Sequence, residues 1–263
     1  MNKLDKLFQT KNERVLNVYF TAGYPALEDT NRILTSLDKH EVDIIEIGIP
    51  YSDPLADGPT IQASGAQALS NGMTLDVLFR QLENQSSLQH SALILMGYYN
   101  QVLQYGAERF FRQCKEVGVS GLIIPDLPLQ EYELLYKLLF EELDLGISFL
   151  MTPQTSDSRI AKIDKLTRGF IYMVSSASIT GSASSIKPAQ IAYFERVQKL
   201  QLQNPRLIGF GISDCKSFDT ACHYSQGAII GSAFIRALQS GHDLEDNIAT
   251  FIDSIKSTSS TNH

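Results

Sequence analysis

The chain has 263 residues, of which 43% are hydrophobic, and a formal net charge of −7 at pH 7. This length and apolar content fit one large α/β domain about as well as two small ones, while the acidic balance and the absence of a Lys and Arg cluster disfavour nucleic-acid binding. No apolar run approaches the roughly 20 residues of a membrane helix, the N-terminus lacks a secretory signal, and the 3 cysteines are widely spaced. We therefore expect a soluble, cytoplasmic protein with reduced thiols.

Eight short β-rich runs alternate along the chain with segments of helical periodicity. Such alternation implies right-handed crossovers and a parallel sheet, and eight units in about 250 residues fit a closed barrel better than an open sheet. The sequence therefore predicts the α/β class and a single (β/α)8 TIM barrel over residues 1–263, with extra helices at 4–8 and 60–70 and a frayed tail at 256–263. The predicted strands are 15–21, 43–49, 92–97, 121–125, 146–151, 170–175, 206–211 and 227–231.

The second predicted strand contains an acid where a buried strand should be apolar. Alternation places Glu46 on the face opposite Ile45, Ile47 and Ile49. A structural ion pair is the alternative, but the predicted strand interiors contribute no Lys, so a functional Glu46 is favoured. Asp57 follows in a loop rich in Pro and Gly, where Asp-Gly-Pro is also good turn chemistry. The pattern leaves Asp57 open between a turn residue and a second functional carboxylate.

Glycine follows the last predicted strands at the point where each helix should begin. These residues are Gly211 after the seventh strand and Gly231, with Ser232 beside it, after the eighth. Loops at these positions of a barrel commonly bind phosphate, because glycine allows close approach of N–H groups and a helix N-terminus carries roughly half a positive charge. Thr180 and Gly181, after the sixth strand, form a third candidate. Taken alone, Gly231 and Ser232 fit a helix cap better than a ligand site, but three such turns at one end favour phosphate.

Several reaction classes lack their usual residues. No His or Cys spacing typical of zinc occurs, no G-x-S-x-G elbow is present, and no strand Lys could form a Schiff base. Gly209 and Gly211 begin a G-x-G, but Asp214 occupies the position of a third glycine, which disfavours a Rossmann cofactor. The reaction class that remains is proton transfer by carboxylates on a phosphorylated substrate, without a metal.

Seven segments spread over most of the chain resemble the tryptophan synthase alpha subunit family. The block DPLADGP at residues 53–59 is highly specific to that family. The matching segments are YFTAGYP at 19–25, EIGIPYSDPLADG at 46–58, MGYYN at 96–100, PDLP at 125–128, TG at 180–181, GFGIS at 209–213 and GSA at 231–233.

The resemblance implies a (β/α)8 barrel that cleaves indole-3-glycerol phosphate to indole and glyceraldehyde 3-phosphate in a retro-aldol reaction. It implies that Glu46 is the general acid/base and that Asp57 accepts the indole N–H and stabilises positive charge on the ring. It also implies a beta subunit that receives indole in an alpha2-beta2 complex. Pyridoxal phosphate is expected only on that beta subunit, so this chain itself should hold no cofactor.

The resemblance assigns the remaining substrate contacts. The phosphate binders are Gly181, Gly211, Gly231 and Ser232, with Phe210 beside them, and the residues that line the indole pocket or orient the acids are Phe20, Met96, Tyr172 and Thr180. From pattern alone, Tyr172 fits a filler of the barrel interior as well as a hydrogen-bonding group of the site. In the loop after the sixth strand, Ser176 and Ser178 stand where many relatives carry Arg and Gly.

Two other functions remain open at this level. A free-standing lyase of the same specificity would release indole at full rate without a partner. A non-catalytic subunit would only activate its partner, but the presence of both Glu46 and Asp57 weighs against this reading.

Overall fold

A computed structural model describes residues 1–85, 88–175, 188–209, 211–241 and 243–257. Its strands are β1 (Val15–Thr21), β2 (Ile44–Gly48), β3 (Ala92–Met96), β4 (Gly121–Ile123), β5 (Gly146–Ile147), β6 (Leu150–Met151), β7 (Ile171–Val174), β8 (Arg206–Gly209) and β9 (Gly227–Ile230). Its helices are α1 (Lys3–Thr10), α2 (Asp29–Lys39), α3 (Pro59–Ser70), α4 (Leu75–Glu83), α5 (Tyr99–Tyr105), α6 (Ala107–Glu116), α7 (Leu129–Glu131), α8 (Lys137–Leu143), α9 (Asp157–Leu166), α10 (Pro188–Gln198), α11 (Cys215–Tyr224), α12 (Ser232–Ala237) and α13 (Leu244–Lys256), with a π-helical segment, Tyr132–Tyr136, between α7 and α8.

The strands form one parallel sheet that closes on itself. Its order is β5, β4, β3, β2, β1, β9, β8, β7, β6, and the two end strands are consecutive halves of the fifth predicted strand. At the break, the Ser148 N–H donates to the Leu122 carbonyl of β4, and the Tyr172 N–H of β7 donates to the Phe149 carbonyl. Hydrogen bonding therefore continues around the sheet, and the predicted (β/α)8 barrel is confirmed, with its fifth strand interrupted at residues 148–149.

The two extra helices predicted from the sequence are present as α1 and α3. The predicted frayed tail is wrong at its first residue, because Lys256 ends α13 and its Nζ donates to the carbonyls of His40 and Glu41 at 2.7 and 2.9 Å. Residues 258–263 of that tail lie outside the described part of the chain. None of the helices within the described ranges is long and apolar enough to cross a membrane.

Alternating strand residues separate two apolar layers. One layer, between the sheet and the helices, includes Leu16, Val18 and Phe20 of β1. The other fills the barrel interior, or lumen. Its buried members are Leu4, Val15, Ile44, Ala92, Ile94, Ile123, Phe170, Tyr172, Val174, Leu207 and Ile229. Burial of each large apolar side chain stabilises the fold by roughly 1.5–3 kcal/mol.

Helix α1 closes the N-terminal end of the lumen. Leu4 is 1% exposed, and its Cδ2 would lie only 3.3 and 2.7 Å from a Cβ placed on Gly146 and Gly169. Larger residues at these two positions would push the helix out, so the glycines make room for the plug. With this end filled, the opposite, C-terminal end of the strands is left for a site.

Candidate active site

Glu46 projects into the lumen from the middle of β2. Ile44, two residues before it, belongs to the lumen cluster, whereas Ile45 and Ile47 pack toward the helices. The residue is 1% exposed, and its Oε2 accepts a hydrogen bond of 2.7 Å from Asn17 Nδ2. Within the described ranges, no Lys or Arg forms an ion pair with Glu46. The structure thus provides an amide in place of the cation that a structural ion pair would need.

The surroundings of Glu46 favour its protonated form. Burial raises its pKa to about 8; the Asn17 hydrogen bond opposes this shift, and the nearby Asp57 charge adds to it. At pH 7 the carboxyl is therefore mostly protonated and can donate a proton. A group with this pKa also returns readily to the charged form, which suits a residue that both gives and takes a proton.

Asp57 is held by a pair of stacked tyrosines. Tyr98 Oη donates to Asp57 Oδ2 at 2.9 Å and accepts from the Ala56 N–H at 2.9 Å. The Tyr98 ring stacks on Tyr51 with centroids 5.1 Å apart, and Tyr51 Oη accepts from Asn100 Nδ2 at 3.0 Å. Burial raises the pKa of Asp57, while the Tyr98 hydrogen bond lowers it. Asp57 is therefore fixed in place by interactions that reach from its own loop to the start of α5.

Tyr19 forms one wall of the site beside Glu46. A Cβ on Gly48 would lie 2.0 Å from Tyr19 Oη, so the ring covers the strand position that follows Glu46 on the same face. Burial raises the pKa of Tyr19 well above its ordinary value, and the charges of Asp57 and Glu46 add to this shift. Tyr19 therefore lies close enough to both acids for their charges to act on its hydroxyl.

Phe20 is not part of this cluster. It is fully buried in the layer between the sheet and the helices, together with Val18, and Tyr19 occupies the lumen position. The prediction that Phe20 lines the indole pocket is therefore wrong, because a shift of one residue along a strand reverses the face. The alternation of Asn17, Tyr19 and Thr21 with apolar residues in β1 was the sequence signal that could have revealed this.

Tyr172 and Met96 lie in the lumen, as the sequence analysis expected. Tyr172 is 7% exposed, and its Oη would lie 2.5 Å from a Cβ on Gly209. Burial raises its pKa well above the ordinary value, with additions from the charges of Glu46 and Asp57. Met96 is partly exposed at the end of β3, opposite Gly48 in the strand register. Their contact with a substrate stays a prediction.

Two of the predicted phosphate turns are described. Gly211 is exposed, with φ of +80° and open space around its Cβ position, a conformation that favours glycine. Gly231 precedes Ser232, the first residue of α12, and offers no side chain to cap that helix. A Cβ on Gly231 would lie 3.5 Å from Tyr19 Cδ1, so this turn adjoins the acid cluster. Three other predicted contacts, Thr180, Gly181 and Phe210, lie outside the described residues, as do Ser176 and Ser178.

Sequence reasoning missed the residues that hold the two acids. Asn17 is a fully buried amide. An amide within an otherwise apolar strand is a sequence signal that could have marked Asn17 as a residue of the site. Tyr98 and Tyr51 lie within the family-like segments. Nothing in their spacing shows that Tyr98 donates a hydrogen bond to Asp57 or that the Tyr51 ring stacks on the Tyr98 ring. In the ranges that the structure covers, no group of three or more His, Cys, Asp or Glu residues is arranged to hold a metal ion.

Comparison with known proteins gives one consistent result. A family profile described as "Tryptophan synthase alpha chain" matches residues 6–261. The chain is 55% identical over 238 residues to the tryptophan synthase alpha chain of Flavobacterium johnsoniae, covering 90% of this chain and 94% of that one. It is 51% identical over 256 residues to that of Christiangramia forsetii, covering 97% and 99% of the two chains.

Solved structures with the same fold agree. The aminoacrylate-bound tryptophan synthase of M. tuberculosis matches with a TM-score of 0.84 and 29% identity, covering 97% of this chain and 98% of that one. The tryptophan synthase complex of Pyrococcus furiosus matches with a TM-score of 0.82 and 30% identity, covering 93% and 98%. The similarity therefore includes the whole barrel and not only its mouth.

Proposed function

The chain belongs to the tryptophan synthase alpha chain family and cleaves indole-3-glycerol phosphate to indole and glyceraldehyde 3-phosphate; we propose that Glu46 and Asp57 carry out this reaction. The observation that supports this assignment most directly is the pair itself. Two buried carboxyls lie close enough at one end of the lumen for the charge of Asp57 to raise the pKa of Glu46, and neither has an ion-pair partner in the described part of the chain.

The reaction requires two proton movements and one bond cleavage. The indole carbon that bears the glycerol chain gains a proton, and the ring nitrogen takes up positive charge. The hydroxyl on the adjacent chain carbon loses its proton and becomes an aldehyde. The electrons of the broken carbon–carbon bond then return to the ring and neutralise it. Protons and electrons balance within the substrate and one acid/base group, so no oxidant or reductant is needed.

Glu46 fits the acid/base role because its pKa of about 8 keeps it protonated at neutral pH. In our proposal it gives its proton to the ring carbon and then, as a carboxylate, accepts the proton of the hydroxyl. This returns Glu46 to its starting form. General acid/base catalysis of this kind contributes typically 10²–10⁴-fold in rate.

Asp57 fits the role of a fixed counter-charge. We propose that its carboxylate accepts the indole N–H as positive charge develops on the ring. The hydrogen bond from Tyr98 stabilises the charged form of Asp57 and fixes its direction. A fixed acceptor placed where charge appears needs no reorganisation during the reaction, and such preorganised groups are among the largest contributors to catalysis.

The substrate phosphate would lie at the turns of Gly211, Gly231 and Ser232, of which Gly231 adjoins Tyr19. The open φ of +80° at Gly211 and the uncapped start of α12 support this placement. Tyr19, Met96 and Tyr172 would line the indole pocket. The chain would act as one barrel domain and hold no cofactor of its own.

We also propose a beta subunit as the partner, in an alpha2-beta2 complex in the cytoplasm, with pyridoxal phosphate on the beta subunit. The matched solved structures are described as tryptophan synthase and as its complex. Leu55 is 83% exposed in the Asp57 loop, and Leu103 is 50% exposed on α5. Both connections follow strand C-termini and meet at Tyr98, so a partner covering the mouth would bury these apolar side chains.

The test is indole release by the purified chain and by Glu46→Gln, each with and without a beta subunit. Glutamine keeps the shape and cannot carry the proton, so we expect a loss of about 10²-fold or more. Addition of a beta subunit should raise the rate of the parent chain.

Turnover of Glu46→Gln within about tenfold of the parent would end the acid/base assignment. A parent rate that does not change on addition of the beta subunit would indicate a free-standing lyase. The absence of indole release under all conditions would indicate a non-catalytic binding subunit.

A further inference from the structure

Asn17 is a buried amide whose position has no explanation in packing. It lies in β1 with 0% exposure, and its register partners on the neighbouring strands are Ile44 and Ile229. Both isoleucines belong to the apolar lumen cluster. A branched aliphatic side chain would fill this position without burying a polar group. The amide therefore needs a reason beyond filling space.

Only one side of the Asn17 amide is paired. Nδ2 donates to Glu46 Oε2 at 2.7 Å, whereas the buried Oδ1 has no hydrogen-bond partner in the part of the chain that the structure describes. Buried polar atoms are nearly always satisfied, and each exception calls for an explanation. Here the unpaired acceptor belongs to the same planar group as the donor that already contacts Glu46.

We propose that Asn17 is a positioning residue that supports both protonation states of Glu46; this inference rests on the proposed acid/base role of Glu46. When Glu46 is charged, its Oε2 accepts from Nδ2. When that oxygen carries the proton, its O–H needs an acceptor, and a half turn of the amide brings Oδ1 to the place of Nδ2. The carboxyl thus keeps one partner and one direction throughout a cycle in which it gives and regains a proton.

Within the described residues, three titratable side chains also surround Glu46. The titratable side chains that interact with Glu46 are Asp57 from the loop after β2, Tyr19 from β1 and Tyr172 from β7. Asp57 repels the charged form, and burial keeps both phenols protonated at neutral pH. On the other side, β3 contributes Ile94 in register with Glu46. Within the described residues, the Glu46 carboxyl accepts its hydrogen bond from Asn17, whose amide can pair with either form of that carboxyl without changing its own charge.

The experiment compares Asn17→Leu with Asn17→Thr. Leucine keeps the branching at Cγ, with a larger volume, and removes both hydrogen-bonding atoms, whereas the threonine hydroxyl both donates and accepts and suits a strand. The readouts are kcat and KM for indole release, the pH profile of kcat, the infrared titration of the Glu46 carboxyl (assigned with Glu46→Gln), and the thermal midpoint.

For Asn17→Leu we expect kcat to fall about tenfold to a hundredfold with KM within about twofold, because Asn17 does not line the mouth. The Glu46 midpoint should rise by about one pH unit, since the donor that favours the charged form is gone. The thermal midpoint should fall by a few degrees at most, because the unpaired Oδ1 is removed while the buried Glu46 carboxyl loses its hydrogen-bond partner. Asn17→Thr should retain most of the rate and a midpoint near that of the parent.

A Glu46 midpoint that does not move in Asn17→Leu overturns the inference, whatever Glu46→Gln does to turnover. So does an Asn17→Thr variant as impaired as Asn17→Leu. Retention of cleavage by Glu46→Gln is a separate result, which refutes the catalytic assignment of Glu46 and leaves the infrared result to decide whether Asn17 controls its ionisation. If Asn17→Leu does not fold, Asn17→Val provides the same comparison with less side chain to accommodate.

Discussion

Both ends of the barrel contain acidic side chains, but the acids are paired with cations at one end and with neutral groups at the other. At the N-terminal end, Arg168 Nη2 lies 2.6 Å from Asp5 Oδ2 and also contacts Asp144 Oδ1, and the Met1 amino group lies 3.1 Å from Asp144 Oδ2. The hydrogen bond from Arg168 is the main reason that the pKa of Asp144 is lowered. These acids are charged and paired, and they fasten α1 to the base of the barrel.

At the C-terminal mouth, Glu46 and Asp57 have neutral partners, Asn17 and Tyr98. Burial without a cation raises the pKa of both acids. The same type of side chain is thus charged and stabilises the fold where it is paired, whereas burial without a counter-charge favours its neutral form. The base of a barrel of this kind commonly serves stability and the mouth serves chemistry, and the roles we propose for these acids follow that division.

The largest expected contrast comes from removing one charge at each end. Asp57→Asn should lower kcat for indole release by about 10²–10³-fold, the usual cost of losing a preorganised charge-stabilising group. Asp144→Asn is the matched control, since asparagine tolerates the φ of +55° at this position. It should keep the parental rate and lose about 1 kcal/mol or less in the free energy of unfolding, because its ion pairs are partly exposed.

An unchanged rate in Asp57→Asn would mean that another group holds the indole nitrogen. A large loss of activity in Asp144→Asn would mean that the division between the two ends is wrong.

The pH dependence of stability should have opposite signs at the two ends. Glu46 has a pKa of about 8 in the folded chain, above its ordinary value, so its contribution to stability is present below pH 4.5 and is lost as the pH rises toward 8. Glutamine does not titrate, so Glu46→Gln should not lose stability in this way. Between pH 4.5 and 8, the free energy of unfolding of Glu46→Gln relative to that of the parent should therefore rise by roughly 1 kcal/mol per pH unit at most. Urea unfolding of both proteins at several pH values measures the difference.

For Asp144 the sign is reversed. Its lowered pKa gives the parent an advantage over Asp144→Asn that is present near neutral pH and disappears as the pH falls through the folded-state value. A stability difference with the same pH trend in both variants would contradict the contrast between paired and unpaired acids.

The smallest expected effect concerns the hydroxyl that holds Asp57. Tyr98→Phe keeps the ring stacked on Tyr51 and removes the bonds to Asp57 and Ala56, so kcat should fall about tenfold with little change in KM. The control is Tyr99→Phe, the same change one residue along, where the hydroxyl pairs with Tyr136 instead. Steady-state kinetics of both variants decide the matter, and equal effects would show that Tyr98 has no special role.

Much of this architecture was readable from the sequence because the signals are local. All eight predicted strands are present, since β-branched runs between helical segments leave few other options. Glu46 and Asp57 could be singled out because an acid in a buried strand and a carboxylate at a strand end are both unusual. The resemblance to one family then supplied a reaction for them.

Other features depended on distance in space. The prediction placed Phe20 in the pocket, but the lumen-facing residue is its neighbour Tyr19. Only the strand register showed that Tyr19 points inward. The fifth strand is split at residues 148–149, which its composition did not reveal. The sequence alone determined the order of elements and the identity of the acids, since both are written in local pattern. The tertiary structure decided which neutral groups hold those acids, because Asn17 and Glu46 are 29 residues apart in the chain, Tyr98 and Asp57 are 41 apart, and each pair meets only when neighbouring strands come together.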